Sequence, residues 1–328
     1  MLRSITAANP ARMQAALAGL RRYQDYERAP PPAPRPALAE AGGAALRDYG
    51  GEGPAVLFVP SLINPPTVLD MGERSLLRWL AARGHRVLLV DWGWPGPERR
   101  GLSVGGHVEE IVLPLLKELG EPADLVGYCL GGTMALAAAQ LGGARSVATL
   151  AAPWHFNGFS AEARANLARL WAESQPAVRA LGVLPMEVLQ CAFWGLDPER
   201  TVGKFEAFAA LEGAEARTFV MLEDWANDGP PVSEAAAREM FETLFAADAT
   251  GAGAWTVSGT VVDPAALAIP FLNIVSTTDR IVPHATASRS GERLDLALGH
   301  VGMVVGRKAR AMLWEPLDAW LSRTAAKC

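Results

Sequence analysis

Short apolar runs recur along the first half of the chain, separated by stretches long enough for a helix. Ala55-Val-Leu-Phe-Val59 stops at Pro60, and Arg86-Val-Leu-Leu-Val-Asp91 runs into a turn through Gly93, Pro95, Gly96 and Pro97. Asp124-Leu-Val-Gly127 and Ser146–Leu150 follow. Uninterrupted apolar runs of this length read as strands buried on both faces. Between them, Arg74–Ala82 is amphipathic and stops at Gly84, Val104–Leu119 is helical despite Pro114, and Thr133–Gln140 is rich in helix formers. Strand and helix alternating with short connections predicts a mostly parallel sheet in an α/β fold, with helices on both faces.

The rhythm changes after Pro153. From Trp154 to Trp255 the pattern is helical, and eight of the ten Phe and five of the ten Trp fall there. A strand pattern returns at Ile269-Pro-Phe-Leu-Asn-Ile-Val275, and a last helix is expected over Lys308–Leu321. Ahead of the sheet, residues 1–28 read as a short helix with Met13, Ala16, Leu17 and Leu20 on its apolar side. The run Ala29–Ala37, APPPAPRPA, reads as a stiff extended linker. The expected organisation is an N-terminal helix and linker over residues 1–43, a first core segment over 44–153, an inserted helical cap over 154–265, and a second core segment over 266–328. The cap's aromatic residues can bury their own core and can also line an apolar channel.

Composition narrows the function class. Half the residues are hydrophobic, a fifth are charged, and the net charge is −5, so the chain carries no basic footprint for nucleic acid. Three cysteines, Cys129, Cys191 and Cys328, are too few and too scattered for a disulfide framework or a zinc site. That usage suits a reducing, cytoplasmic compartment. No secretory signal and no membrane-spanning run is expected. There is no Walker loop and no dinucleotide fingerprint, so no metal or organic cofactor is expected.

One segment carries chemistry. Gly127-Tyr-Cys-Leu-Gly131 has the G-x-S-x-G spacing of a nucleophile elbow, with Cys129 in place of serine. A nucleophile on a tight strand-to-helix turn needs neighbours without a Cβ, and a helix N-terminus favours negative charge there. In the α/β-hydrolase fold an acid and then a histidine should follow after late strands. Asp279 lies in Ser276-Thr-Thr-Asp-Arg-Ile-Val-Pro283, and His300 in Leu298-Gly-His-Val-Gly302. Cys129 would be the nucleophile, His300 its base and Asp279 the group that orients the imidazole. The backbone N–H of Leu130 would be one oxyanion donor, with a second from the backbone near Ser61 and Leu62. His85, His107 and His155 read as turn, helix and packing histidines, and His284 follows Asp279 too closely to be the base. Neither Cys191 nor Cys328 has the flanking glycines of the elbow.

Gly127-Tyr-Cys-Leu-Gly-Gly-Thr133 resembles the lipase-like box of polyhydroxyalkanoate synthases, in which cysteine replaces serine. Val59-Pro-Ser-Leu-Ile-Asn64 with Val68-Leu-Asp70, Val90-Asp-Trp-Gly-Trp-Pro95, Asp279-Arg-Ile-Val-Pro283, and Gly299-His-Val-Gly302 with Val305-Gly306 are similar to further segments of that family. The likeness runs from about Leu46 to Leu321, weakens in the cap, and fits the shorter synthase types best. Arg280 stands where many synthases have histidine. The resemblance implies an acyltransferase that polymerises (R)-3-hydroxyacyl-CoA thioesters into polyester, with acyl-CoA as substrate rather than cofactor. It also implies a homodimer or a second synthase subunit, and a polyester granule surface, as partners. The alternatives are a cysteine-dependent thioesterase or polyester depolymerase, and a non-catalytic granule-binding homologue.

Overall fold

The computed structural model describes residues 1–30 and 32–326, so Cys328 and Pro31 of the expected linker lie outside the described residues. Two compact units form. One joins Met1–Ala33 to Met186–Gly229; the other joins Pro34–Pro185 to the chain from Pro230 onward.

The larger unit is built on an eight-stranded sheet. Its strands are β1 (Ala37–Ala41), β2 (Ala44–Asp48), β3 (Ala55–Val59), β4 (Arg86–Asp91), β5 (Asp124–Tyr128), β6 (Ser146–Leu150), β7 (Phe271–Ser276) and β8 (Glu292–Leu296). Their spatial order is β1-β2-β4-β3-β5-β6-β7-β8. From β4 to β8 every pairing is parallel, whereas β1 and β2 form an antiparallel hairpin on the β4 edge. The apolar runs are buried as their pattern predicts: Val56, Leu57, Phe58 and Val59 have no exposed surface. At roughly 1.5–3 kcal/mol for each buried side chain of this kind, burial drives the sheet together.

A buried ion pair fastens the entry ends of three strands. Asp124, 1% exposed, accepts from Arg145 Nη2 at 2.5 Å and from the Ser146 hydroxyl at 2.6 Å. The same guanidinium donates to the Ala55 carbonyl at 3.3 Å. A carboxylate taken out of water needs this saturation of its lone pairs.

The helices between the strands follow the sequence pattern with adjusted ends. Leu76–Ala82 begins two residues later than expected, because Ser75 Oγ accepts from the Arg78 N–H and caps it there, while Arg74–Ser75 pairs with Asp70–Met71. Val104–Glu118 is helical throughout, with a wider π turn over Val108–Val112 ahead of Pro114. Leu130–Gly142 packs on β5 and β6. The closing helical segment spans Arg310–Ala325.

In the sequence β1 and β2 do not read as strands, since ALAEAGGAALRD is made largely of helix formers. Pairing with β4 from Ala45↔Asp91 to Asp48↔Leu88 overrides that local preference.

The smaller unit is helical. The N-terminal segment forms Leu2–Thr6 and Pro10–Gln24 rather than one helix, with Asn9 Oδ1 accepting from the Arg12 N–H at 3.0 Å. Arg12 pairs with Glu199 and Glu206, and the Tyr23 hydroxyl donates to Asp224 at 2.6 Å. Phe208 and Phe219 stack with ring centroids 4.3 Å apart. These contacts join Pro10–Gln24 to helices Pro198–Phe208 and Gly213–Asn227.

Candidate active site

β5 delivers Cys129 to the start of helix Leu130–Gly142 through a turn with φ +56° and ψ −130°, a backbone state that L residues rarely adopt. The turn is held on both sides. Cys129 N–H donates to the Leu150 carbonyl at 2.9 Å, and Gly132 N–H donates to the Cys129 carbonyl at 2.9 Å.

The flanking glycines are demanded by close backbone approach. A methyl on Gly127 would lie 2.4 Å from Gly132 Cα, and one on Gly131 would lie 2.1 Å from the Val59 carbonyl oxygen and 2.5 Å from that of Pro60. The second approach places the first helical turn against the end of β3. Ser61 and Leu62, 5% and 7% exposed, continue from there, and the Trp92 indole donates to the Pro60 carbonyl at 3.2 Å. The Leu130 N–H occupies the first helical position, where helix geometry supplies no internal acceptor.

Asp279 and His300 meet. His300 Nδ1 lies 2.5 Å from Asp279 Oδ2, and both side chains are buried. The other carboxylate oxygen accepts from the Ile281 and Val282 N–H groups at 2.7 and 3.0 Å. Those bonds aim one oxygen at the ring. The Ser276 hydroxyl donates to the Leu298 carbonyl, and Thr277 N–H donates to the Leu296 carbonyl at 2.8 Å. The loops after β7 and β8 are thereby tied together.

Cys129 also bears on the same imidazole. Burial works against the imidazolium, but the Cys129 charge, the hydrogen bonds the ring makes to Asp279 and Cys129, and the Asp279 charge together raise the His300 pKa to about 10. The structure therefore joins His300 to Asp279 by a hydrogen bond, and the charge of Cys129 favours the protonated ring.

Tyr128 is a further member that the sequence does not single out. Its ring lies 5.0 Å from the His300 ring at 30°, and its hydroxyl donates to the His300 carbonyl at 3.3 Å. Burial, with the Cys129 and Asp279 charges, holds the phenol well above its ordinary value, so it remains a donor. The only sequence signal was its place between Gly127 and Cys129.

His85 Nε2 lies 2.7 Å from Asp318, and His107 is buried against Trp92 with a pKa lowered to about 4, chiefly by burial. His155 has its backbone N–H on the Thr286 carbonyl at 2.8 Å, and His284 is exposed. Cys191 is an exposed free thiol. Among the described residues, no three His, Cys, Asp or Glu side chains converge as metal ligands. Nor is any helix among them long and apolar enough to cross a membrane.

The raised His300 value has a measurable sign. The folded protein retains a proton between pH 6.5 and about 10 that the unfolded chain releases. The stabilisation this supplies is complete below pH 6.5 and is lost as pH rises towards 10. NMR of the His300 ring protons should give a midpoint near 10, moving down in Cys129→Ala because the leading charge that raises it is gone. A midpoint near 6.5 in both proteins would contradict the contact.

Comparison with known proteins agrees with this arrangement of strands and loops. The chain is 28% identical to the poly(3-hydroxyalkanoate) polymerase subunit PhaC of Haloarcula marismortui over 87% of its own length and 64% of that protein's. It is 26% identical to the PhaC subunit of Haloferax mediterranei over 81% of this chain and 58% of that one. It thus spans about three fifths of those two relatives. Against the PhaC subunit of Allochromatium vinosum, identity is 28% over 81% of this chain and 80% of that one. Among solved structures, a monoacylglycerol lipase from Paleococcus ferrophilus superposes with a TM-score of 0.55 at 18% identity, covering 86% of this chain and 99% of that one. A Thermogutta terrifontis esterase gives 0.53 at 18% identity, covering 89% and 98%. Those two likenesses concern the fold. Because the pattern of the alpha/beta hydrolase family matches residues 56–309, most of the sheet together with the loops after β5, β7 and β8, the chain belongs to the alpha/beta hydrolase family and is similar to its poly(3-hydroxyalkanoate) polymerase subunits.

Proposed function

We propose that the chain is an acyltransferase that polymerises (R)-3-hydroxyacyl-CoA thioesters into polyester through an acyl-enzyme on Cys129. What supports this reading is a cysteine at the elbow and a hydrogen-bonded His300–Asp279 pair whose imidazole feels the Cys129 charge, in a chain whose curated relatives are poly(3-hydroxyalkanoate) polymerase subunits.

Cys129 Sγ attacks the thioester carbonyl as a thiolate, its proton held on His300. The C–S bond to coenzyme A breaks, and the imidazolium gives its proton to the departing thiolate. One thioester replaces another, so the acyl group stays activated. Leu130 N–H and a donor from the backbone at Ser61 or Leu62 receive the developing oxyanion.

Acylation also prepares the second half-reaction. The negative charge on Cys129 disappears, and with it the leading charge that raises the His300 pKa. Burial then favours the neutral ring, which can take the proton from a 3-hydroxyl of the acceptor. That oxygen attacks the acyl carbon, an ester bond forms, and Cys129 leaves with the proton from His300. Asp279 keeps the Nδ1 proton facing itself and Nε2 facing the reaction.

Purified protein incubated with 3-hydroxybutyryl-CoA should release free coenzyme A and form polyester in equal acyl equivalents. Release of coenzyme A with only free hydroxy acid would assign a hydrolase instead. No release would refute both reactions and favour a granule-binding role.

A further inference from the structure

A concave pocket of about 440 Å³ lies in the larger unit, and none of Cys129, Asp279 and His300 lines it. Four arginines line it, Arg74, Arg78, Arg307 and Arg310, together with Trp79 and Trp314. Glu73 is the single acid in the lining. With Asp70 on Arg78, Glu315 on Arg310 and Glu73 in the lining, the four arginines keep a small excess of positive charge in a concave site, in a chain of net charge −5, and such an excess favours an anion there. Its volume falls in the range of small-molecule sites, roughly 300–1,000 Å³.

The walls are fixed. Arg78 Nε and Nη2 grip Asp70 at 2.6 and 3.0 Å, and Arg74 Nη1 donates to the Val305 carbonyl at 3.1 Å. The Trp314 indole donates to the Val304 carbonyl at 2.9 Å, and its ring lies 5.8 Å from that of Trp79. Arg310 lies over the Trp79 ring at 5.6 Å. Its pairing with Glu315 is 3.5 Å long and exposed on both sides, so an incoming anion loses little by displacing it.

A single carboxylate would occupy one of these arginines. Their spread around an aromatic surface suits a ligand with several phosphate oxygens and a flat base. We propose that the pocket receives the phosphate-bearing nucleotide end of the coenzyme A thioester. This rests on the acyltransferase reading for the source of the nucleotide, though not for the pocket's chemistry. Val305, on the pocket wall, is five residues beyond His300, so five Cα steps limit their separation to about 19 Å. The long pantetheine arm lies between the thioester and the phosphates and can cover such a gap.

The test compares 3-hydroxybutyryl-CoA with 3-hydroxybutyryl-pantetheine, which lacks the nucleotide. In the double variant Arg307→Ala/Arg310→Ala, the preference for the CoA thioester, read as the ratio of the two kcat/KM values, should fall about tenfold, a modest loss for two exposed charges. Arg307→Lys/Arg310→Lys should recover part of it. Calorimetric titration of Cys129→Ala with 3′-phospho-ADP should show binding that weakens in parallel and competes with acyl-CoA. An unchanged ratio would overturn the assignment. So would ADP binding as tightly as 3′-phospho-ADP without competing with acyl-CoA, the mark of a separate free-nucleotide site. If wild type consumes neither thioester, the acyltransferase reading fails, and the titration still decides whether the pocket takes a nucleotide.

Discussion

Cys129→Ala should lower turnover of 3-hydroxybutyryl-CoA on the order of 10⁴- to 10⁶-fold while leaving a folded protein. The size follows from the role, because removing the nucleophile of a triad leaves only what oxyanion donors and binding supply. Folding should survive, since alanine is shorter by one sulfur atom and keeps the same Cβ at the same positive φ. Cys129→Ala combined with His300→Ala should be scarcely worse than Cys129→Ala, because groups that act as a unit do not lose activity additively. Cys191 is exposed, so thiol-reagent inactivation is best followed in a Cys191→Ser background. Turnover that persists within tenfold of wild type in Cys129→Ala would remove the sulfur from the mechanism and leave the relatives' names without a chemical basis here.

The parts of this site that a sequence reveals are those set by neighbours along the chain. Gly127, Cys129 and Gly131 share one turn, and the strand before it and the helix after it are each visible as local patterns. Asp279 and His300 become legible only through chain order, because each alone is an ordinary loop residue. Their 2.5 Å contact depends on the parallel pairing of β7 and β8, which carries both loops to the same end of the sheet.

Contacts between distant segments left no comparable trace. Tyr128 faces His300 across 172 positions. The arginine pocket draws on Gly72–Trp79 and Val305–Trp314, segments separated by most of the chain. The edge hairpin of β1 and β2 was hidden for a different reason: its residues prefer helix, and only the open edge of β4 makes strand the better state. Likewise, Pro10–Gln24 shows an apolar side in the sequence, but not that Pro198–Phe208 and Gly213–Asn227 are its companions.

Gly131→Ala should cost at least about 3 kcal/mol of stability and about 10²-fold in kcat for the molecules that still fold. The added methyl would sit 2.1 Å from the Val59 carbonyl oxygen and 2.5 Å from that of Pro60. Both obstacles are backbone, so no side chain can swing aside, and either the helix start or the end of β3 must retreat. Retreat separates the Leu130 N–H from the loop at Ser61 and Leu62, the two sides expected to hold one oxyanion, and an oxyanion donor is worth roughly 10²–10³ in kcat. Gly302→Ala is the control. In the sequence it looks equally fixed, two residues after His300, yet a methyl there meets nothing within 4 Å and joins a helical turn. That variant should stay within about 0.5 kcal/mol of wild type. Urea unfolding of the two variants, with kcat measured on the folded fraction, decides the matter. Equal tolerance at both positions would mean that the elbow is not clamped against β3, and that the oxyanion donors assigned on either side of the clamp are wrong.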